Sequence, residues 1–438
     1  MKKTTRDFQT LREHMDTLPV ISTHEHFLDN RNMPQNVFMK ILGYYQTDFV
    51  SASGAGKLFA NDAVPMLLDS AIPFEDKFAF FKKVYEKSCH TSYAKALALM
   101  LKENFDIDEI TPESLQRLEG ILQSRTETDY QMLLQKHRIE MRIVDSGGSF
   151  LNMFNEKNPL ARFEEIPDAT DAYTFTLSLP KLHRLSSRED VFVLQGFSDN
   201  YIVTLEDYEN AFENLVRRAK EKGFACMKDQ SAYRRTIDFG NPTRGEAETV
   251  FNRIISNQFD TVSAGESRVL DDYLFHFFML TARKYNMPVQ MHTGALGGNF
   301  NDVRKANAAH LTGLLDRHRD VRFDLFHGNY PYMGELLLLV KNYPHVYMDL
   351  CWCHTIDPLY TIELIKRAIV TVPHSKIMGF GGDTVCFEYQ IAHLIEAKNN
   401  IAYALSDLIE MQYLSLTSAK EIAADLLYNN PKALFFEG

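Results

Sequence analysis

A chain of 438 residues with 45% hydrophobic and 12% aromatic content is long enough to bury a large core, which excludes disorder as a whole and leaves either one elaborated barrel or two ordinary domains. Its 47 Lys and Arg against 58 Asp and Glu leave a net charge of −11, which gives no basis for a nucleic-acid partner held through phosphate contacts. The five cysteines are odd in number and scattered, which argues against a secreted disulfide framework.

In chain order, the N-terminal segment MKKTTRDFQTLREHMDTLP alternates charged and apolar residues and lacks the continuous apolar stretch of a signal peptide. No later stretch approaches the roughly 20 apolar residues of a membrane span, so a cytoplasmic location without a membrane partner is expected. Eight short apolar or β-branched runs then recur, most followed by a polar cluster and a segment of helical periodicity. They are Pro19–Thr23, Met141–Asp145, Val191–Phe197, Phe224–Lys228, Pro288–His292, Val321–His327, His345–Leu350 and Ile377–Gly382. Among the helical partners, Glu335–Asn342 and Pro358–Ile369 carry apolar residues at three- and four-residue spacing. Eight βα units predict an α/β protein with a closed, distorted (β/α)8 barrel rather than an open doubly wound sheet. More than a hundred residues separate His26 from Met141, with periodic segments at Phe74–Lys87 and Tyr93–Lys102 and the capping pattern Thr111-Pro112-Glu113-Ser114. This predicts a barrel built from residues 1–26 and 138–438, with 27–137 as a helical insertion that roofs the active-site face. No internal repeat or Pro/Gly-rich linker divides the chain.

The first run ends in Thr23-His24-Glu25-His26, and alternation along a strand puts both imidazoles on one face, able to grip one metal ion. A lone His-x-His is weak, but barrel enzymes place their chemistry at strand C-termini. His292, His327 and Asp383 fall at the corresponding ends of later runs. Singly, either histidine reads as a satisfied core residue and Asp383 as a helix N-cap. Jointly the five supply nitrogen and oxygen donors suited to a divalent metal, zinc first, with manganese or iron as alternatives. Lys228 ends the fourth run. It is either carbamylated, giving an anionic bridge between two metals, or an ammonium that balances charge or binds a substrate carboxylate, and the choice between one and two ions depends on it. In a hydrolytic scheme Asp383 takes a proton from water and passes it to the leaving group. His327 either holds a second metal or hydrogen-bonds the water or the oxyanion. Arg234, with Tyr233 beside it, is a candidate clamp for a substrate carboxylate, its bland alternative being a solvated loop. Trp352 and His354 either line the pocket or pack the wall; Cys351 and Cys353 share a strand face and could bind a metal, but without a second pair they read first as buried small apolar residues.

These residues resemble the amidohydrolase superfamily, and within it the amidohydrolase-2 group related to FluG and the nodulin-type N-terminal domains. The resemblance rests on Met291-His292-Thr293-Gly294, on Phe326-His327-Gly328-Asn329-Tyr330-Pro331 with Glu335, on Val346-Tyr347-Met348-Asp349, and on Lys228 with Tyr233-Arg234. It implies a distorted (β/α)8 barrel, a metal bound by His24, His26, His292 or Lys228, and Asp383, and hydrolysis of an amide, lactone or related carbonyl bond in a small, acidic molecule. Relatives on this scaffold include uronate isomerases and metal-dependent decarboxylases, and the first-strand motif with its long insertion is also similar to uronate isomerase, so isomerase and decarboxylase stand as alternatives. A non-catalytic metal- or ligand-binding barrel is the reading from another class, and a homo-oligomer is expected as for many barrels.

Overall fold

Eight parallel strands follow one another around a single sheet in the order of the chain. In the computed structural model they are β1 (Val20–Glu25), β2 (Ile139–Asp145), β3 (Tyr173–Ser178), β4 (Cys226–Asp229), β5 (Val289–Met291), β6 (Phe323–Leu325), β7 (Val346–Asp349) and β8 (Ile377–Met378). Residues 5–29, 36–42, 49, 65–145, 158–256 and 262–437 are described. Each strand pairs in parallel with the next from β1 to β8. The remaining gap, between last and first strands, is closed by backbone bonds from the segment beyond β8. Thr23 N donates to Phe380 O at 3.1 Å, Asp383 N to His24 O at 2.9 Å and His26 N to Thr384 O at 2.9 Å. The expected (β/α)8 barrel is therefore present, and its strands are buried on both faces as an enclosed parallel sheet requires.

One predicted strand is corrected. Val191–Phe197 is not β3 but the end of a short helix, Arg188–Phe192, followed by a 3₁₀ turn at Gln195–Phe197. A capping box explains this: the Ser187 side chain accepts from the Asp190 amide while Asp190 reaches back to the Ser187 amide, and the apolar run completes the helix. The true third strand is Tyr-Thr-Phe-Thr-Leu-Ser, in which Phe175 and Leu177 alternate with Thr174 and Thr176, all buried.

The helices that matter for the site are α1 (Arg6–Asp16), α2 (Phe74–Ser88), α3 (Ser92–Phe105), α4 (Pro112–Ser124), α5 (Glu127–Lys136), α6 (Leu205–Glu221), α7 (Ala264–Lys284), α8 (Met333–Asn342), α9 (Pro358–Thr371) and α10 (Phe387–Glu410). Helix α6 has the pattern of an outer barrel helix, burying Tyr208, Phe212, Leu215 and Ala219 at three- and four-residue spacing. Between β1 and β2 the chain forms α2 to α5, started by the N-caps Thr91, Thr111 and Thr126, the last two in capping boxes with Ser114 and Asp129. The parts of 27–137 at 30–35, 43–48 and 50–64 lie outside the described residues. Helix α10 is buried along most of its circumference because it has neighbours on several sides: α1, α3, α5 and α9 all pack on it. It starts four residues after Asp383, so the element following β8 is the one the insertion helices α3 and α5 rest on. No helix of the described residues is long and apolar enough to cross a membrane, and all five cysteines are free.

Candidate metal centre

His24 sits within β1 and His26 one residue beyond it, and both meet Asp383 across the closing seam. His26 Nε2 lies 2.8 Å from Asp383 Oδ1, and His24 Nε2 lies 4.0 Å from the same oxygen. The Asp145 carboxylate at the end of β2 stands on the other side, with Oδ2 3.7 Å from His24 Nε2 and 3.7 Å from His26 Nδ1. His327 approaches from β6, its Nε2 3.9 Å from Asp383 Oδ2 and 3.2 Å from His292 Nδ1. His327, Trp352 and Asp383 follow β6, β7 and β8 with φ of 59°, 59° and 51°, the left-handed region that non-glycine residues rarely adopt. Such backbone costs roughly 1–3 kcal/mol per residue, and here it aims three side chains from consecutive strand ends.

Three imidazoles are fixed in tautomer by what they touch. Gln290 Nε2 donates to Thr23 O at 2.9 Å, so its amide oxygen is the atom 3.3 Å from His24 Nδ1 and must accept a proton from it. His327 Nδ1 donates to Cys351 O at 2.9 Å, and His292 Nε2 to Ala295 O at 2.6 Å. In the neutral rings the opposite nitrogens are then bare. His24 Nε2 turns its lone pair toward the Asp145 and Asp383 carboxylates, and His327 Nε2 and His292 Nδ1 turn theirs toward each other. Lone pairs facing lone pairs and carboxylates repel unless a cation lies between them. The donor set therefore fits a divalent metal, with carbonyl oxygens holding each ring as outer-shell partners do. Burial is the largest influence on all three: it pushes His24 and His292 well below the usual imidazole range and His327 down to about 4. Burial opposes charge on His26 too, but its Asp383 hydrogen bond and the Asp383 and Asp145 charges raise it. Burial acts to raise Asp383, yet the His26 hydrogen bond and the surrounding histidines hold the carboxyl well below its ordinary value.

Lys228 lies at the end of β4, 2% exposed, with Nζ 3.2 Å from the centre of the Phe326 ring. Burial pushes its ammonium down from the ordinary lysine value, against the charges of Asp383, Asp145 and Asp324. Asp324 and Asp349 lie on neighbouring strands β6 and β7. Burial raises both carboxyls, Asp349 to about 6 and Asp324 well above the usual range under the added Asp349 charge. Glu25 accepts from Ser22 Oγ at 2.6 Å, Gly382 N at 3.1 Å, Thr384 N at 3.1 Å and Thr384 Oγ1 at 2.9 Å, so it holds both neighbours of Asp383. Burial pushes the Glu25 carboxyl up to about 7.

The other predicted residues fall in different places. Tyr233 follows β4, its ring 4.8 Å from His292 and its hydroxyl accepting from Gly297 N at 3.0 Å. Trp352 meets His327 edge-on at 5.5 Å. Arg234 is exposed, whereas its neighbour Arg235 pairs with Asp271 and Asp272. His354 is inside the wall, with Nε2 2.9 Å from Gly379 O and Nδ1 3.4 Å from Asn400. For Cys351 the lesser of its two readings, a metal donor rather than a small apolar filler, matches its place, since its sulfur is grouped with donor atoms of His327 and Asp383. Sequence reading also passed over Asp145 and Gln290. Asp145 ends a predicted strand, as His292 and His327 do, and that position was the available signal.

Fold and donor set define a (β/α)8 barrel with a candidate divalent-metal centre at the C-terminal ends of its strands. The amidohydrolase family profile matches residues 194–436, more than half of the chain, and the chain belongs to that family. Lys228, His292, His327 and Asp383 lie inside the matched region, and His24 and His26 lie outside it. Among curated proteins, Protein fluG of Emericella nidulans is 26% identical over 244 residues, which cover 52% of this chain and 28% of that protein. This chain thus aligns with less than a third of that relative's length. Among solved structures, uronate isomerase from Thermotoga maritima superimposes with a TM-score of 0.78 at 16% identity, covering 99% of this chain and 98% of the other. Glucuronate isomerase from Caulobacter crescentus gives 0.74 at 16% identity, covering 98% and 93%. At that identity both speak to the fold alone.

Proposed function

We propose that this chain is a metal-dependent hydrolase that cleaves an amide, lactone or related carbonyl bond of a small, acidic molecule. The observation that supports it is the convergence of bare imidazole nitrogens from His24, His292 and His327 with His26 and an ionised Asp383 at one end of the barrel. A divalent ion held by these residues, zinc in the first instance with manganese or iron as alternatives, supplies the Lewis acidity that activates a water and polarises the carbonyl. Asp383 accepts the proton at a carboxylate oxygen and returns it to the leaving group. His327, anchored through Cys351 O, either holds a second ion or stabilises the tetrahedral oxyanion. Lys228 has two roles open to it: its burial-weakened ammonium would give up one proton, and the free amine would add to carbon dioxide, forming an N–C bond as one C=O π bond opens and a second N–H proton leaves, to give an anionic carbamate that could hold metal; kept as an ammonium, it would balance charge or bind a substrate carboxylate. Tyr233 and Trp352 line the substrate side, Arg234 meets a substrate carboxylate at the rim, and His354 supports the wall. The described helices of the insertion, α2 to α5, are read as a cover for this face.

The test is turnover by metal-loaded protein on a panel of amides, lactones and γ-glutamyl compounds in ¹⁸O-labelled water. One ¹⁸O in the product is the expected result. The second reading is aldose–ketose interconversion of a uronate. It rests on a likeness of fold to uronate isomerases that extends over 99% of this chain. Interconversion of glucuronate or galacturonate, with no label incorporated and no turnover on the panel, overturns the hydrolase reading in its favour.

A further inference from the structure

The turn after β7 sends its two cysteines to different places. Cys353 Sγ lies 3.1 Å from Thr361 Oγ1, against α9. Cys351 Sγ, fully buried, lies within 4.8 Å of donor atoms of both His327 and Asp383. The residue is pinned at both backbone ends: its amide donates to Asp349 Oδ1 at 2.7 Å and its carbonyl accepts from His327 Nδ1 at 2.9 Å. Between the cysteines, Trp352 takes the left-handed conformation and donates its amide to Gly381 O at 2.9 Å, which separates two side chains that a continuing strand would put on one face.

Asp383 has an occupied environment on each oxygen. Oδ1 faces His26 and His24, and Oδ2 faces His327. Two donor groups result, His24–His26–Asp383 and His327–Cys351–Asp383, which share only the carboxylate. His292 stands beside the second group without belonging to it, its bare Nδ1 3.2 Å from His327 Nε2. One imidazole nitrogen, one carboxylate oxygen and one sulfur supply three of the four donors tetrahedral zinc takes, and the thiolate biases the position toward zinc over the harder ions. The geometry points to Cys351 as a thiolate ligand of a second metal position, held with His327 and Asp383 and joined to the His24–His26 position through the Asp383 carboxylate. The inference rests on the metal-dependent reading of this centre and not on which reaction it performs. When the metal–sulfur bond forms, the S–H bond breaks and its proton leaves to solvent.

Cobalt(II) reports sulfur ligation by a thiolate-to-cobalt charge-transfer absorption in the near ultraviolet, separate from its visible d–d bands. Metal-stripped full-length protein titrated with cobalt is expected to develop that absorption and to bind two ions per chain. Cys351→Ser is expected to lose the charge-transfer band and most of the second equivalent while keeping the first, and Cys353→Ala is expected to leave both unchanged. Wild-type protein that binds cobalt without a charge-transfer band, or that binds none, overturns the inference. So does Cys351→Ser with an unaltered band. If that variant fails to fold, the X-ray absorption spectrum of the wild-type zinc form decides the matter, since a sulfur neighbour is either present in the first shell or absent. Loss of the hydrolase reading would leave the band intact, so the two failures are distinguishable.

Discussion

Asp383 combines three features: a left-handed backbone, a carboxyl held ionised, and a hydrogen bond to His26. Asn at this position keeps the size and hydrogen-bonding shape but cannot accept the water's proton. Asp383→Asn is therefore expected to lower kcat by about 10²–10⁴-fold while the circular dichroism spectrum stays that of the wild type. Unchanged turnover would remove Asp383 from the proton path. Its neighbour tests how tightly the residue is aimed. A methyl group on Gly382 would meet the Glu25 carboxyl carbon at 2.9 Å, and Glu25 is the group that bonds both Gly382 and Thr384. Gly382→Ala is expected to cost about 1–3 kcal/mol in chemical denaturation and to reduce activity more than that loss of folded protein accounts for. The positions His24, His26, Lys228, His292, His327 and Asp383 were legible because strand alternation and strand ends are written in local sequence. Gln290 was not, and Cys351 only as the lesser of two readings. What brings Gln290 to His24 is a contact between β5 and β1, and what turns Cys351 inward is a left-handed residue after it, neither of which local pattern encodes.

Buried charge carries the connections between elements. Glu388 on α10 is fully buried and receives Lys40 Nζ at 3.0 Å from the helix Val37–Leu42, Arg125 NH1 at 3.1 Å from the end of α4, and Tyr130 OH at 3.3 Å from α5. Removing the carboxylate leaves Lys40 charged and desolvated, so Glu388→Ala is expected to cost about 3–5 kcal/mol in urea unfolding, and the double replacement Lys40→Met with Glu388→Leu to recover most of it. Equal losses in the single and double variants would show that the cluster is not coupled. A second cluster holds the loop after β4. His183 bonds Asp271 through Nδ1 and Asp229 Oδ1 through Nε2 at 3.0 Å, and Arg235 NH1 pairs with Asp271 Oδ2 at 2.8 Å. Burial works against the His183 charge, but Asp271 and Asp229 raise the ring to about 9. A group raised in the folded state stabilises fully below its unfolded pKa, near 6.5, and the gain is lost as pH rises through the folded value. On the order of 3 kcal/mol should therefore disappear between about pH 6.5 and 9.5, read as a falling urea midpoint. The pair His183→Gln with Asp271→Asn should flatten that limb, and an unchanged slope would contradict the assignment. Element identity was readable except at β3. There the run Val-Phe-Val-Leu looks more strand-like in isolation than Tyr-Thr-Phe-Thr-Leu-Ser, and what reversed the choice was burial of both strand faces in an enclosed sheet, the Thr174–Thr176 face as well as the Phe175–Leu177 face.

At the scale of the whole barrel, the candidate centre coincides with the weakest part of the sheet. Seven strand pairs have ladders, while first and last strands are joined through the segment beyond β8, whose amides and carbonyls at Phe380, Asp383 and Thr384 bond Thr23, His24 and His26. Three of those six residues, His24, His26 and Asp383, are also predicted metal donors, so side chains and backbone cross the same seam. An ion held there adds bonds between the two ends of the barrel, and because it binds only the folded arrangement it stabilises by mass action, about 2.7 kcal/mol when free metal exceeds Kd 100-fold. Chelation should therefore lower the thermal midpoint, with recovery on adding back zinc. The loss should also be local. Without metal, His24 Nε2 is left facing two carboxylates and the His292 and His327 nitrogens face each other, a repulsion relieved by opening at the seam rather than across the ladders of β3 to β5. Hydrogen exchange by mass spectrometry is expected to speed up in peptides covering 19–27 and 377–386 after chelation, and to change little in those covering 173–178 and 226–229. Uniform acceleration over all eight strands would mean that the ion supports the barrel globally, and no change in either region would separate the centre from the stability of the fold.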